Sequence, residues 1–139
     1  MKILVPVDGS QNSMEAVKVA LTFAKATTSD ISLITVIPFI SGLDLEISAK
    51  ELDSLTEKMK RRGEEVLEQA QSVLKSGGVS SRGILSSSVS AADEIIGVAE
   101  KEKIDLIIIG NRGLGGAATR FFMGSVALKV VDMHPALSI

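Results

Sequence analysis

Two stretches of this chain are apolar without alternation: Ile3-Leu4-Val5-Pro6-Val7, and Leu106-Ile107-Ile108-Ile109, which begins after Asp105 and stops at Gly110. Short unbroken apolar runs suit strands covered on both faces, as in a parallel sheet. A third strand is predicted over Ile31 to Ile37, carrying Leu33, Ile34 and Val36, and a weaker one around Val79 to Leu85. The segments between them have helical spacing. Asn12 with Glu15 reads as a capping pair, followed by Ala16, Ala20 and Ala24 on one face with Val17, Leu21 and Phe23 beside them. A long helix is predicted from Glu46 to Lys75, its stripe running through Leu52, Leu55, Met59, Val66, Leu67, Ala70, Val73 and Leu74, with Gly77-Gly78 as the stop. Ser90 with Asp93 opens a third helix that buries Ile95, Ile96 and Ala99, and a fourth is expected from Gly124 to Met133.

Strand and helix alternating at this rhythm imply parallel strands joined by right-handed crossovers, hence an α/β, Rossmann-like, doubly wound sheet with helices on both faces. The 139 residues suit one domain spanning 1–139. With only four aromatic residues, all Phe, the core must be aliphatic. Charge narrows the function further. The net charge is −2, without the basic excess of a general nucleic-acid binder. Cysteine is absent, which excludes disulfides, thiolate metal sites and cysteine nucleophiles, and the single His134 excludes a multi-histidine metal centre. No metal site is therefore expected. No apolar run approaches the roughly 18 residues of a membrane span, and the first run is closed off by Asp8. A cytoplasmic protein without membrane contact is expected.

In open α/β sheets ligands sit beyond the carboxyl ends of the strands, where strand order reverses. Two such ends are equipped here. The first strand leads into Asp8-Gly9-Ser10, and the last apolar run leads into Gly110-Asn111-Arg112-Gly113-Leu114-Gly115-Gly116 and on to Gly124-Ser125. Glycines let backbone N–H groups approach a ligand closely, and a helix beginning at Gly124-Ser125 adds unpaired donors and the positive end of a dipole. Phosphate is the ligand that uses such a loop best; the plain alternative is a strand-to-helix connection with a Gly-Ser helix start. A P-loop is excluded, because no Lys follows a glycine at the required spacing. Gly113-Leu114-Gly115-Gly116-Ala117-Ala118 matches a loose dinucleotide fingerprint, but the helix does not open at once and Asp132 comes too early for the ribose acid.

The opening Ile-Leu-Val-Pro-Val-Asp-Gly-Ser, the Asp105-Leu-Ile-Ile-Ile-Gly strand and the Gly110-x2-Gly113…Gly124-Ser125 loop together resemble the universal stress protein family over essentially the whole chain. The resemblance implies a five-stranded sheet of order 3-2-1-4-5 and a homodimer. It is to the branch that binds ATP through a Gly-x2-Gly-x9-Gly-Ser/Thr loop. Carried over, it places adenine against Pro6, Val7, Asp8 and Val36, and the ribose near Ile109 and Gly110. The phosphates fall to N–H groups around Gly113, Gly124, Ser125 and Val126, with the Ser125 hydroxyl assisting and Mg2+ held through the phosphates; Arg112 and Arg120, read by themselves, either neutralise phosphate charge or are solvated loop arginines. Two departures stand out. Ten residues, not nine, separate Gly113 from Gly124, and the family's last strand is reduced to Pro135-Ala136-Leu137-Ser138-Ile139. That shortened edge predicts a weakened homodimer supported by the last helix.

Several residues also have plain readings. Asp8 could orient the nucleotide or make an Asx-turn, and Ser125 could bond phosphate or cap its helix. The run Lys58, Lys60, Arg61, Arg62, followed by Glu64, Glu65 and Glu68, reads as a solvated helix face. The helix from Gly124 would carry His134 roughly 15 Å from the ligand edge, to a turn. The leading expectation is an ATP-binding stress-response regulator with little or no turnover, since Asp8 is the carboxylate placed on that edge and is engaged on the nucleoside side. A slow ATPase or self-phosphorylating enzyme, and a nucleotide-free interaction module, are the alternatives.

Overall fold

A computed structural model describes residues 1–39 and 47–110. Within them the chain order is β1 (Lys2–Pro6), α1 (Gln11–Thr27), β2 (Asp30–Pro38), α2 (Ala49–Ser76), β3 (Ser81–Ser88), α3 (Ala91–Lys101) and β4 (Leu106–Ile107). All neighbouring strands are parallel and ordered β3-β2-β1-β4, the arrangement expected for the first four. The predicted fifth strand, Pro135 to Ile139, and the helix from Gly124 to Met133 lie outside the described residues.

The two faces of the sheet follow from the two-residue period of a strand. Ile3 and Val5 of β1 with Ile31 and Leu33 of β2 point to one side, where they pack on Val17 and Ala20 of α1 and Val66, Ala70 and Leu74 of α2. Leu4, Ile34, Val36 and Ile107 point to the other side, against Ala91, Ala92, Ile95 and Ala99 of α3. This reproduces the aliphatic core read from the pattern, with the alanine faces of α1 and α3 letting those helices approach the sheet. Strand order reverses between β1 and β4, so the sheet has its switch point at their carboxyl ends.

Element ends differ from the pattern for local reasons. The N-cap of α1 is Ser10 rather than Asn12: its side chain accepts from Ser13 N at 3.2 Å, and Ser13 Oγ donates back to Ser10 O at 2.9 Å. Gly9, at φ +85°, turns the chain so that Ser10 reaches the extended conformation a cap requires. Helix α2 is capped by Ser48, which accepts from Glu51 N at 3.1 Å, so it starts at Ala49 and not at Glu46. It does stop at Gly77, with Gly78 at φ +83°. Val79 belongs to that stop, its N–H donating to Leu74 O, and β3 therefore starts at Ser81. It continues through the serine run to Ser88 because each residue is paired with β2 as far as Pro38. Strand β4 is shorter than predicted, yet Ile108 N still donates to Leu4 O and Ile108 and Ile109 are buried.

The predicted stripe of α2 is buried only in its second half. Val66, Leu67, Ala70 and Leu74 are core, whereas Leu55 is 39% exposed. A helix of 28 residues is about 42 Å long at 1.5 Å per residue. The nine-residue β2 covers only about 30 Å. Because α2 enters at the carboxyl edge of the sheet and runs back antiparallel to the strands, its first turns overhang that edge.

Candidate functional site

The carboxyl edge is organised by the turn between β1 and α1. Val7 is still pinned to the sheet, its N–H donating to Ile34 O at 2.8 Å. Asp8 then closes an Asx-turn: Oδ1 accepts from Ser10 N at 2.9 Å, while its own N–H donates to Ser13 Oγ at 3.3 Å. The second carboxylate oxygen, Oδ2, is buried without a hydrogen-bond partner. A buried acceptor in that state costs about 1–3 kcal/mol. The plain Asx-turn reading of Asp8 thus holds for one oxygen, and the other is left over.

Beside Asp8 lies a cavity of about 390 Å³, bounded by the end of β2 from Thr35 to Pro38 and by α2. Helix α2 contributes Lys58, Met59, Arg62, Gly63 and Val66, a set at spacings of one and three to four that forms one face of a helix. Gly63 lets α2 pack closely on β2 and β3 beside the slot. A Cβ there would lie 2.7 Å from Leu85 Cδ1, 3.2 Å from Ile37 Cγ2 and 3.3 Å from Thr35 Cγ2. The walls are mostly aliphatic, the residues with polar side chains are Asp8, Thr35, Lys58 and Arg62, and the shape is that of an open slot.

The other predicted residues are distributed around the same turn. Val36 is buried on the α3 face and borders the slot beside Asp8. Pro6 and Val7 are buried and do not border the slot. Ile109 and Gly110 border a separate cavity of about 240 Å³ on the far side of α1, with Asn12 and Ala16. Gly110 is pressed against the first turn of α1: an added Cβ would stand 2.8 Å from the backbone carbonyl carbon and oxygen of Asn12. The first turn of α1 therefore separates Asp8 and Val36 from Ile109 and Gly110. The turn itself carries no acidic side chain; the anion at the positive end of the helix dipole is the Asp8 carboxylate, which accepts from Ser10 N. Arg112, Gly113, Arg120, Gly124, Ser125, Val126 and His134 lie outside the described residues.

The run Lys58, Lys60, Arg61, Arg62 with Glu64, Glu65 and Glu68 is exposed, as a solvated helix face should be; that Lys58 and Arg62, with Met59 and Gly63, also border the slot was not read from the pattern. The available signal was Gly63 itself, a glycine in the middle of a long helix. A cavity of about 360 Å³ at the opposite, amino edge includes Lys2, Arg82 and Glu102, whose charges serve one another: Arg82 Nη1 lies 3.3 Å from Glu102 Oε1, and Lys2 Nζ donates to Glu102 O at 3.3 Å. Among the described residues no helix is long and apolar enough to cross a membrane.

The model of the universal stress protein family matches residues 1–133. The chain belongs to the universal stress protein family. A universal stress protein of Methanocaldococcus jannaschii is 36% identical over 133 residues, covering 94% of this chain and 75% of its own. Another, YxiE of Bacillus subtilis, is 30% identical over 138 residues, covering 95% of this chain and 92% of its own. Among solved structures, the universal stress protein UspA of Lactobacillus plantarum superposes with a TM-score of 0.80 at 23% identity, over 100% of this chain and 95% of that one. A family protein of Arabidopsis thaliana with AMP bound superposes at 0.70 and 18% identity, over 100% of this chain and 89% of that one. A universal stress protein in complex with cAMP superposes at 0.73 and 24% identity, over 100% of this chain and 94% of that one. These likenesses establish the parallel α/β fold with helices on both faces.

Proposed function

We propose that this universal stress protein binds an adenine nucleotide, ATP, at the carboxyl edge of its sheet and acts as a regulator with little or no turnover. The observation that carries the reading is Asp8, which borders an aliphatic slot at the switch point of the sheet and keeps a carboxylate oxygen, Oδ2, buried without a hydrogen-bond partner. An orphaned acceptor there fits the hydroxyl or amine donors of a nucleoside. The volume lies within the roughly 300–1,000 Å³ of small-molecule sites. Family structures with AMP and with cAMP support the ligand class. Glycines at 113 and 124 with Ser125 supply the phosphate-binding pattern that favours ATP, and Mg2+ would enter on the phosphates. In this reading Pro6, Val7, Asp8 and Val36 surround the base, Ile109 and Gly110 the ribose, and Arg112, Gly113, Gly124, Ser125 and Val126 the phosphates. Self-association through the last strand, as a homodimer, belongs to the same proposal.

The test has two parts. Denaturing purified protein and identifying any released nucleotide should show adenine nucleotide. Calorimetry with ATP should then give a saturable heat that Gly124→Val abolishes with circular dichroism unchanged; equal affinity in both would overturn the site. Single-turnover measurement on the saturated protein should show negligible ADP over many minutes. A rate of about 1 s⁻¹, in the ordinary enzyme range, would replace the regulator with an enzyme.

A further inference from the structure

Two polar residues of the slot are left unsatisfied by the protein. One is Asp8, whose Oδ2 is buried and unpartnered. The other is Thr35, which is only 5% exposed, borders the slot, and makes no side-chain hydrogen bond among the described residues. Lys58 and Arg62 differ from both, since they are exposed to solvent. On the side of β2 that packs on α2, Thr35 follows Ile31 and Leu33 of the core. Its methyl serves the packing: Cγ2 lies 3.3 Å from where a Cβ on Gly63 would be. A valine would offer the same methyl, so the contact with α2 does not call for the hydroxyl. The register brings Thr35 close to Asp8. Pro6 is level with Ile34, and Val7 N–H still donates to Ile34 O. Thr35 is therefore one residue past that level on β2 and Asp8 two residues past it on the neighbouring strand's exit. At about 3.3 Å per residue and about 4.8 Å between strands, their backbones are roughly 6 Å apart. The two groups do not bond each other, because Oδ2 has no partner.

We infer that Thr35 selects the base together with Asp8: Oδ2 of Asp8 accepts from the exocyclic amine of adenine, and the Thr35 hydroxyl donates to a ring nitrogen beside that amine. This rests on the nucleotide reading, in which the base lies beside Asp8 and Val36, and it adds the residue that reads the edge of the base. The chemistry of the two groups sets the choice. A carboxylate accepts, whereas a hydroxyl can also donate. In adenine the amine is flanked by N1 and N7, both acceptors, so an acceptor with a donor next to it matches either side of the amine. A 6-oxo purine puts a carbonyl oxygen where the amine was, and Oδ2 would then face a second acceptor. A buried acceptor left in that position does not recover its desolvation, which is why sites built on hydrogen bonds reject the wrong analogue strongly.

The test measures the dissociation constants of ATP, its 1-deaza and 7-deaza analogues and ITP, all with the same phosphates, for the full chain and for Thr35→Val and Thr35→Ser. ITP should bind the full chain about tenfold or more weakly than ATP. Thr35→Val should weaken ATP about tenfold, as the loss of one hydrogen bond in a desolvated site does, while Thr35→Ser, which keeps the hydroxyl, should stay within about threefold. One of the deaza analogues lacks the nitrogen that Thr35 bonds. It should bind the full chain as weakly as Thr35→Val binds ATP, and Thr35→Val should cost it nothing further. Unchanged ATP affinity in Thr35→Val, equal losses of ATP and both deaza analogues in that variant, or ITP bound as tightly as ATP would each overturn the inference and leave the nucleotide site standing. Failure of the unaltered protein to bind ATP would overturn both.

Discussion

Two helical glycines in this chain should respond to the same substitution with opposite signs. Gly97 lies on the exposed side of α3 with nothing within 4 Å of an added Cβ. Alanine there removes backbone freedom from the unfolded chain and stabilises by about 0.5–1 kcal/mol. Gly63→Ala gains the same helix propensity but must place its methyl against three neighbours. The nearest, Leu85 Cδ1 at 2.7 Å, is the end of a half-buried side chain that can swing aside. The other two, Ile37 Cγ2 at 3.2 Å and Thr35 Cγ2 at 3.3 Å, are γ-methyls of β-branched residues held in a strand with little rotamer freedom. Overpacking of this kind costs about 1–3 kcal/mol. Set against the propensity gain, the net is a loss of about 1 kcal/mol. Urea titration read by circular dichroism should therefore separate the two variants by about 1.5–2 kcal/mol with unchanged m-values. In heating experiments that difference amounts to several degrees for a chain of this size. If Gly63→Ala matches or exceeds Gly97→Ala in stability, α2 does not sit against Thr35 and Ile37 as closely as described, and the slot beside Asp8 is wider.

Two further perturbations probe the frame of the site. Ser10→Ala should cost about 1 kcal/mol, whereas Asn12→Ala should stay within about 0.5 kcal/mol, as expected if Ser10 is the cap; denaturant midpoints reversing that order would restore Asn12 as the cap. Gly110→Ala should destabilise by about 2–3 kcal/mol, because the added methyl meets the backbone of Asn12, which cannot move aside as a side chain can. A neutral result in the same titration would mean that β4 and the first turn of α1 are not in contact.

The elements that could be read from the sequence are those in which local chemistry and long-range packing demand the same thing. Ile3 to Val7 and Leu106 to Ile109 are apolar throughout because both faces of the central strands are covered. Ser90, placed by its spacing to Asp93, does accept from Asp93 N at 3.4 Å. The errors fall where a partner decides. Nothing in Ser86-Ser87-Ser88 signals a strand; pairing with Val36, Ile37 and Pro38 of β2 extends β3 to that point. The Asn12-to-Glu15 spacing imitates a cap, but the positive φ of Gly9 sets the helix going two residues earlier.

The same distinction governs the site. Asp8 and Val36 could be placed at the carboxyl edge because one follows and the other lies near the end of an apolar run that must be a strand, and the end of a strand is a position that topology fixes in space. Lys58 and Arg62 were not legible, because their position relative to the sheet depends on how far α2 extends beyond it. That in turn depends on the difference between a helix of about 42 Å and a strand of about 30 Å. A basic run on an amphipathic helix is a solvated face wherever the helix lies alongside strands. On the turns that project past the strand ends, the side facing the sheet has no strand to cover, and it borders the space above the carboxyl edge instead. Arg62 occupies that border and its neighbour Arg61 does not, although the two residues are chemically identical. The difference between a solvated arginine and one that borders the site is therefore one residue of helix rotation.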